Sequence, residues 1–223
     1  MDLRAVTPYP LPAEDRLPSS AAPWTWEPGR AALVVLDMQV HFLGRFPPGE
    51  PPAGQLLENI GVLRERAAGL GMPVVFCAEA PVRHPERRGL LAEVWGAGIG
   101  DPADAEIVGP LAPRTGEHLV EHTRPNAFLG SRLERVLRGA GRDQIVLCGL
   151  FARLGVLLTA ADAFMHGIQP FVVGDAVGDL SAEDHLAALR WAAAHGAVVM
   201  STARALPARA PEEGAVGTGG PPG

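Results

Sequence analysis

The 223-residue chain contains no lysine: all 19 of its basic residues are arginine, so no side-chain ammonium exists anywhere in it. Positive charge is in deficit overall. The 25 acids leave a net charge of -6, and a chain without a basic footprint is not built for nucleic acid or an anionic membrane surface. No apolar run approaches the roughly 18 residues of a membrane span. The N-terminal MDLRAVTPYPLPAEDR lacks the apolar core of a signal peptide, which points to a cytoplasmic protein. Cysteine is scarce. Cys77 and Cys148 lie inside the apolar runs VVFCAEA and IVLCGL and read as buried free thiols rather than as a disulfide or a metal site. What remains, 47% hydrophobic and 20% charged, is ordinary globular composition and enough for one well-buried domain.

Proline marks the ends. Residues 1–29 end in PWTWEPGR and read as an extended arm packed on the domain by Trp24 and Trp26, while residues 207–223 read as a disordered tail. The domain proper, 30–206, alternates. Strands are expected at 31–37, 73–78, 118–122, 144–149, 169–174 and 197–200, and helices near 54–70, 86–95, 129–140, 153–166 and 181–195. That order predicts a Rossmann-like three-layer α/β fold, a six-stranded parallel sheet with helices on both faces. Ser181-Ala-Glu-Asp184 predicts a capped helix start, followed by Leu186, Leu189 and Ala193 at helical spacing.

Chemistry concentrates where these strands end. Ala31 to Leu36 is solidly apolar and is closed by one acid, Asp37; in open α/β sheets the carboxyl ends of such strands face the ligand crevice. Taken alone, Asp37 reads equally as a helix cap. Glu79 after VVFCA, His122 after HLVE and the turn CGLFARLG from Cys148 to Gly155 stand at later strand ends. Each has a bland reading, Glu79 as a surface acid and His122 as a cap neighbour or a satisfied core histidine. Four such features at successive parallel strand ends point to one shared crevice.

The stretches VVLDMQVHFL, RRGLLAEVWGAG and HTRPNAFLGSRLERVLRGAGRDQIVLCGLFARLGVLLTAADAFMHGIQPFVVGDAVGDLSAEDH resemble the isochorismatase-like hydrolase superfamily, from residue 5 to about 205. The arm PYPLP and the segment GIQPF are similar to the stand-alone isochorismatases of phenazine biosynthesis. The resemblance implies hydrolysis of the vinyl ether of isochorismate, 2-amino-2-deoxyisochorismate or a related chorismate-derived small molecule in secondary metabolism. Pyruvate and a dihydro-hydroxybenzoate or dihydro-hydroxyanthranilate would be released. It implies no cofactor and no metal, and a homodimer or larger homo-oligomer.

Residue by residue, the resemblance makes Asp37 the proton donor, with His122 beside it as the second catalytic group. Phe42, Glu79, Arg88, Trp95, Phe151 and Gly155 would bind substrate, Arg88 by pairing a carboxylate. It also implies a cis Leu150–Phe151 peptide. The family's amidase branch carries a nucleophilic cysteine where this chain has Gly155, so a mechanism without a covalent thioester is expected.

Two positions depart from the pattern. The family's third-strand lysine is His122 here, and the glutamine of the phenazine enzymes is Glu79. Asp37, Glu79 and His122 would then titrate together; a metal held by the three is an alternative use of the cluster. Two other functions stay open: an altered substrate recognised by Glu79 and His122, or a silent binding protein that keeps the pocket.

Overall fold

A computed structural model describes residues 5–205 except Arg83, Pro85 and Arg87, so the tail expected over 207–223 lies outside the described residues. Its sheet is built from β1 (Ala31–Leu36), β2 (Val74–Glu79), β3 (His118–His122), β4 (Gln144–Leu150), β5 (Gln169–Gly178) and β6 (Val198–Met200). Every pairing between them is parallel, in the order β3-β2-β1-β4-β5-β6. Chain order reverses at β1, which pairs with β2 on one side and β4 on the other. Such a switch point opens a crevice beyond the strand ends, and Asp37 is the first residue past that end.

A parallel sheet covered on both faces buries both sides of its strands, which is why β1 has six apolar residues in a row, all fully buried. Successive side chains alternate between two cores. Leu33, Val35, Phe76, Val146, Phe171 and Val173 face one way, with Leu56, Ile60 and Leu63 of α2 (Ala53–Gly69) packed on them. Val34, Leu36, Val75, Leu147 and Val172 face the other way. They meet Leu133 and Leu137 of α4 (Leu133–Gly139), Ala160 and Ala163 of α5 (Leu157–Met165) and Leu189 of α6 (Ala182–Ala194). Gly149 lets β4 lie close to β1: at its φ of +110° a Cβ would collide with the Leu36 carbonyl oxygen.

Several boundaries differ from the sequence expectation. The helix expected from 86 is α3 (Leu90–Trp95), because Gly89, at φ +58°, precedes the first helical residue. The one expected from 129 begins at Leu133, after Gly130 turns the chain at φ +71° and the Ser131 hydroxyl accepts from the Leu133 N–H at 3.0 Å. The one expected from 153 opens as a π-helical turn, Ala152–Val156, before α5 begins. Strand β5 runs on to Gly178 instead of stopping at 174, with its register against β4 shifting between Leu147 and Gly149. Just past the expected end, the Asp175 carboxylate accepts from the N–H and hydroxyl of Thr202 at 2.6 and 2.8 Å, fixing the start of α7 (Thr202–Ala205). The short α1 (Val40–Leu43) was not expected.

Two buried networks position the elements around the crevice. Arg64 of α2, 2% exposed, makes a bidentate bond to Glu117 at 2.7 and 2.5 Å and donates to the Ala112 carbonyl, which seats the loop leading into β3. The second ties the arm down. Tyr9 Oη accepts from the Asp179 N–H at 2.8 Å and lies 3.1 Å from His185 Nδ1, while His185 Nε2 lies 2.9 Å from the Gly174 carbonyl. A carbonyl can only accept, so the proton sits on Nε2, and Nδ1 accepts from the Tyr9 hydroxyl. Trp24 and Trp26 also pack against the core.

Burial holds the His185 imidazole neutral, its pKa lowered to about 4 despite the Gly174 hydrogen bond. The unfolded chain therefore takes up a proton near pH 6.5 that the folded chain refuses. The neutral-ring contribution is intact above about pH 6.5 and is lost as pH falls toward 4, by roughly 3 kcal/mol. Urea denaturation across pH 4 to 7 should show this loss, and His185→Asn should flatten that part of the stability curve.

Candidate active site

Strand β1 ends because Asp37 turns to φ 52°, a left-handed conformation that aspartate tolerates better than most residues. Its N–H stays on the ladder, donating to the Cys77 carbonyl at 2.9 Å. The carboxylate, 7% exposed, places Oδ1 2.9 Å from Nε2 of His122, itself 1% exposed at the end of β3. Between these strands β2 ends at Glu79, in register with His122. Gln39 splices the gap where β1 has stopped pairing: its Oε1 accepts from the Glu79 N–H at 2.8 Å, and its Nε2 donates to the carbonyls of Glu79 and Ala105 at 2.9 and 2.7 Å. Sequence reasoning passed over Gln39, which stood in the motif beside Asp37 but carries no titratable group to draw notice.

Two opposing effects act on the His122 charge. Burial disfavours the imidazolium, but the charge and hydrogen bond of Asp37, followed by the charge of Glu79 and the nearby Arg124 backbone, favour it and prevail. The pKa is raised above its ordinary value. No hydrogen bond of good geometry reaches Nδ1 among the described residues. Asp37 thus favours a proton on this ring more than burial opposes it, in a chain without lysine.

Asp37, Phe42, Glu79, Arg88, Trp95, Phe151 and Gly155 line one narrow chamber of about 40 Å³, together with His41 and Pro125. These seven expected residues are brought together. His122 is the exception: it stands behind Asp37 and reaches the chamber through that carboxylate. Phe42 and Phe46 contact the Phe151 ring at centroid distances of 5.9 and 6.2 Å, forming an apolar wall. The Glu79 carboxylate receives a short hydrogen bond from Nη1 of Arg88, and both side chains are about nine-tenths buried. Glu79 and Arg88 also border an adjoining cleft of about 570 Å³ that includes Glu121, Thr123 and Arg124. Asp37 and Glu79 thus have separate partners, and among the described residues no group of three His, Cys, Asp or Glu side chains is arranged to hold a metal ion.

The remaining wall comes from the turn after β4. The Leu150–Phe151 peptide is cis, and the π-helical turn that follows carries Gly155 against Asp37. A Cβ at 155 would lie 2.9 Å from the Leu150 carbonyl and 3.1 Å from Asp37 Oδ2, so this close approach requires glycine. Asp179, fully buried after β5, holds the turn: Oδ2 accepts from the Arg153 N–H and Oδ1 from the Leu180 N–H, both at 2.7 Å. Burial pushes its carboxyl pKa up, against those two hydrogen bonds. Asp179 was visible in VGDLS, but only the extra length of β5 brings it to the turn. Cys77 and Cys148 lie fully buried inside β2 and β4, where desolvation pushes both thiols up and away from thiolate formation.

Comparison with known proteins bears on this geometry. A family model described as the isochorismatase domain matches residues 31–204. Phenazine biosynthesis protein PhzD1 of Pseudomonas aeruginosa is 42% identical over 202 residues, covering 90% of this chain and 97% of that protein. An isochorismatase of Bacillus subtilis is 37% identical over 203 residues, covering 91% of this chain and 65% of that protein. Among solved structures, a cysteine hydrolase from Pseudomonas syringae superposes with a TM-score of 0.71 at 23% identity, covering 85% of this chain and 95% of that one, a likeness of fold.

Proposed function

Because the chain belongs to the isochorismatase family, we propose that it hydrolyses the vinyl ether of isochorismate, 2-amino-2-deoxyisochorismate or a related chorismate-derived compound, releasing pyruvate. The observation that carries this reading is the buried Asp37–His122 contact at the wall of the chamber. Asp37 takes up a proton on Oδ2, the Gly155 side, as the anionic substrate enters the chamber, and gives it to the terminal methylene carbon of the vinyl ether. The resulting oxocarbenium ion is captured by water, whose proton returns to the Asp37 carboxylate, and the hemiketal collapses to pyruvate and the ring alcohol. While the proton is away, the His122 imidazolium on Oδ1 stabilises the carboxylate left behind.

Several features support the other roles. The apolar wall of Phe42, Phe151 and Trp95 limits solvation of a reacting carbon whose protonation is slow. Gly155 leaves no side chain where a nucleophile would stand, and both thiols are buried within strands, which favours a non-cysteine mechanism. The enzyme is read as a cytoplasmic homodimer or larger homo-oligomer of secondary metabolism. No helix of the described residues is long and apolar enough to cross a membrane.

Coupled detection of pyruvate from isochorismate, its 2-amino analogue and chorismate tests the reaction. Asp37→Asn keeps the left-handed conformation, since asparagine tolerates it equally, and removes only the acid. Pyruvate release should fall at least about 100-fold, within the range general acids contribute, with substrate binding retained. Near-normal turnover by Asp37→Asn would remove Asp37 from its role.

The raised pKa of His122 fixes a second expectation. The imidazolium is present below its folded pKa, which lies above about 6.5, and is lost as pH rises through it, so activity should fall on the alkaline side. His122→Lys should carry activity to higher pH, because an ammonium stays charged there. Loss of all activity in His122→Lys would instead show that the ring itself transfers a proton.

A further inference from the structure

The chamber beside Asp37 encloses about 40 Å³, far below the roughly 300 to 1,000 Å³ of pockets that take small organic ligands. The adjoining cleft offers about 570 Å³, and the two spaces meet at the Glu79–Arg88 ion pair, which borders both. A substrate whose vinyl ether reaches Asp37 must therefore lay its ring across that pair. Arg88 is a half-used donor there. Nη1 is bonded to Glu79, but Nε is buried and has no acceptor among the described residues. An unpaired buried donor on a cation is costly and fits an anionic ligand.

The carboxylate of Glu79 imposes the second condition. Once Arg88 shares its charge with a substrate carboxylate, Glu79 is left buried with less than its full counter-charge, which is unfavourable unless the ligand supplies a cation beside it. From this arrangement we infer that Glu79 is a specificity-determining residue, selecting substrates that carry an ammonium next to the ring carboxylate over those with a hydroxyl there. The carboxylate meets Arg88 and the neighbouring ammonium meets Glu79, so four charges alternate in sign. A neutral hydroxyl donates one hydrogen bond to Glu79 but brings no charge. This inference rests on the proposed vinyl ether hydrolysis and specifies which substrate it favours.

The test is kcat/KM for 2-amino-2-deoxyisochorismate and for isochorismate at pH 7, in the parent and in Glu79→Gln. The ratio of the two constants within one preparation is independent of the fraction of enzyme that is folded, so partial instability of the variant does not blur it. The parent should prefer the amine, and Glu79→Gln should lower the amine-to-hydroxyl ratio at least about tenfold, the size of one charge-assisted interaction. If both substrates are cleaved and the substitution changes both constants by the same factor, Glu79 does not select and the inference is overturned while the hydrolase reading stands. If the parent cleaves neither, the hydrolase reading fails and takes this inference with it.

Discussion

A carboxylate and an imidazole, each almost out of contact with water, face each other at 2.9 Å across the end of β2, and the crevice is organised around holding them there. Burying two charges is expensive unless each is paired with good geometry, and removing either partner would leave the other uncompensated. Strand order brings this about. β1 and β3 flank β2, so the residues that follow or close them converge, and the left-handed turn at Asp37 swings its side chain toward His122. Gln39 then seals the backbone that the turn would otherwise leave unpaired. A second pair, Glu79 with Arg88, stands beside the first, so each acid of the chamber has a basic partner even though the chain has no lysine.

The turn after β4 answers to the same constraint. Gly155 sits so near Asp37 Oδ2 that a Cβ would crowd it, and buried Asp179 clamps the π-helical turn by its Arg153 N–H. Tyr9 connects this clamp to the arm, since its hydroxyl accepts from the Asp179 N–H and meets the neutral ring of His185. Arm, Asp179 and turn are one hydrogen-bonded series, and the turn carries Gly155 against Asp37. In the proposed reaction a general acid that protonates carbon needs a fixed orientation more than a reactive nucleophile, and this packing favours it.

Much of this was legible in the sequence, for reasons that can be named. The unbroken apolar run of β1 announces a strand buried on both faces, and a lone acid at its end announces the crevice. Ser181 behaves as the motif predicts, its hydroxyl accepting from the Asp184 N–H at 3.1 Å. Other features depend on tertiary contact. Gly174-Asp175 has turn composition, yet the strand continues because Asp175 finds Thr202, and without that continuation Asp179 has no visible purpose. The sign of the His122 shift was open because burial and Asp37 oppose each other, and only their distance decides. Likewise Glu79 could be recognised as a departure from the family, but its partnership with Arg88 could not, since the segment between them has no periodic pattern to fold from.

The central claim is that His122 supplies a buried cation to Asp37. Nitrogen NMR of the protein labelled at histidine, with His122 assigned by substitution and followed from pH 5 to 9, measures this directly. The account predicts that His122 titrates above the ordinary histidine value, with both ring nitrogens protonated below that point. Titration at or below about 6.5 would contradict it.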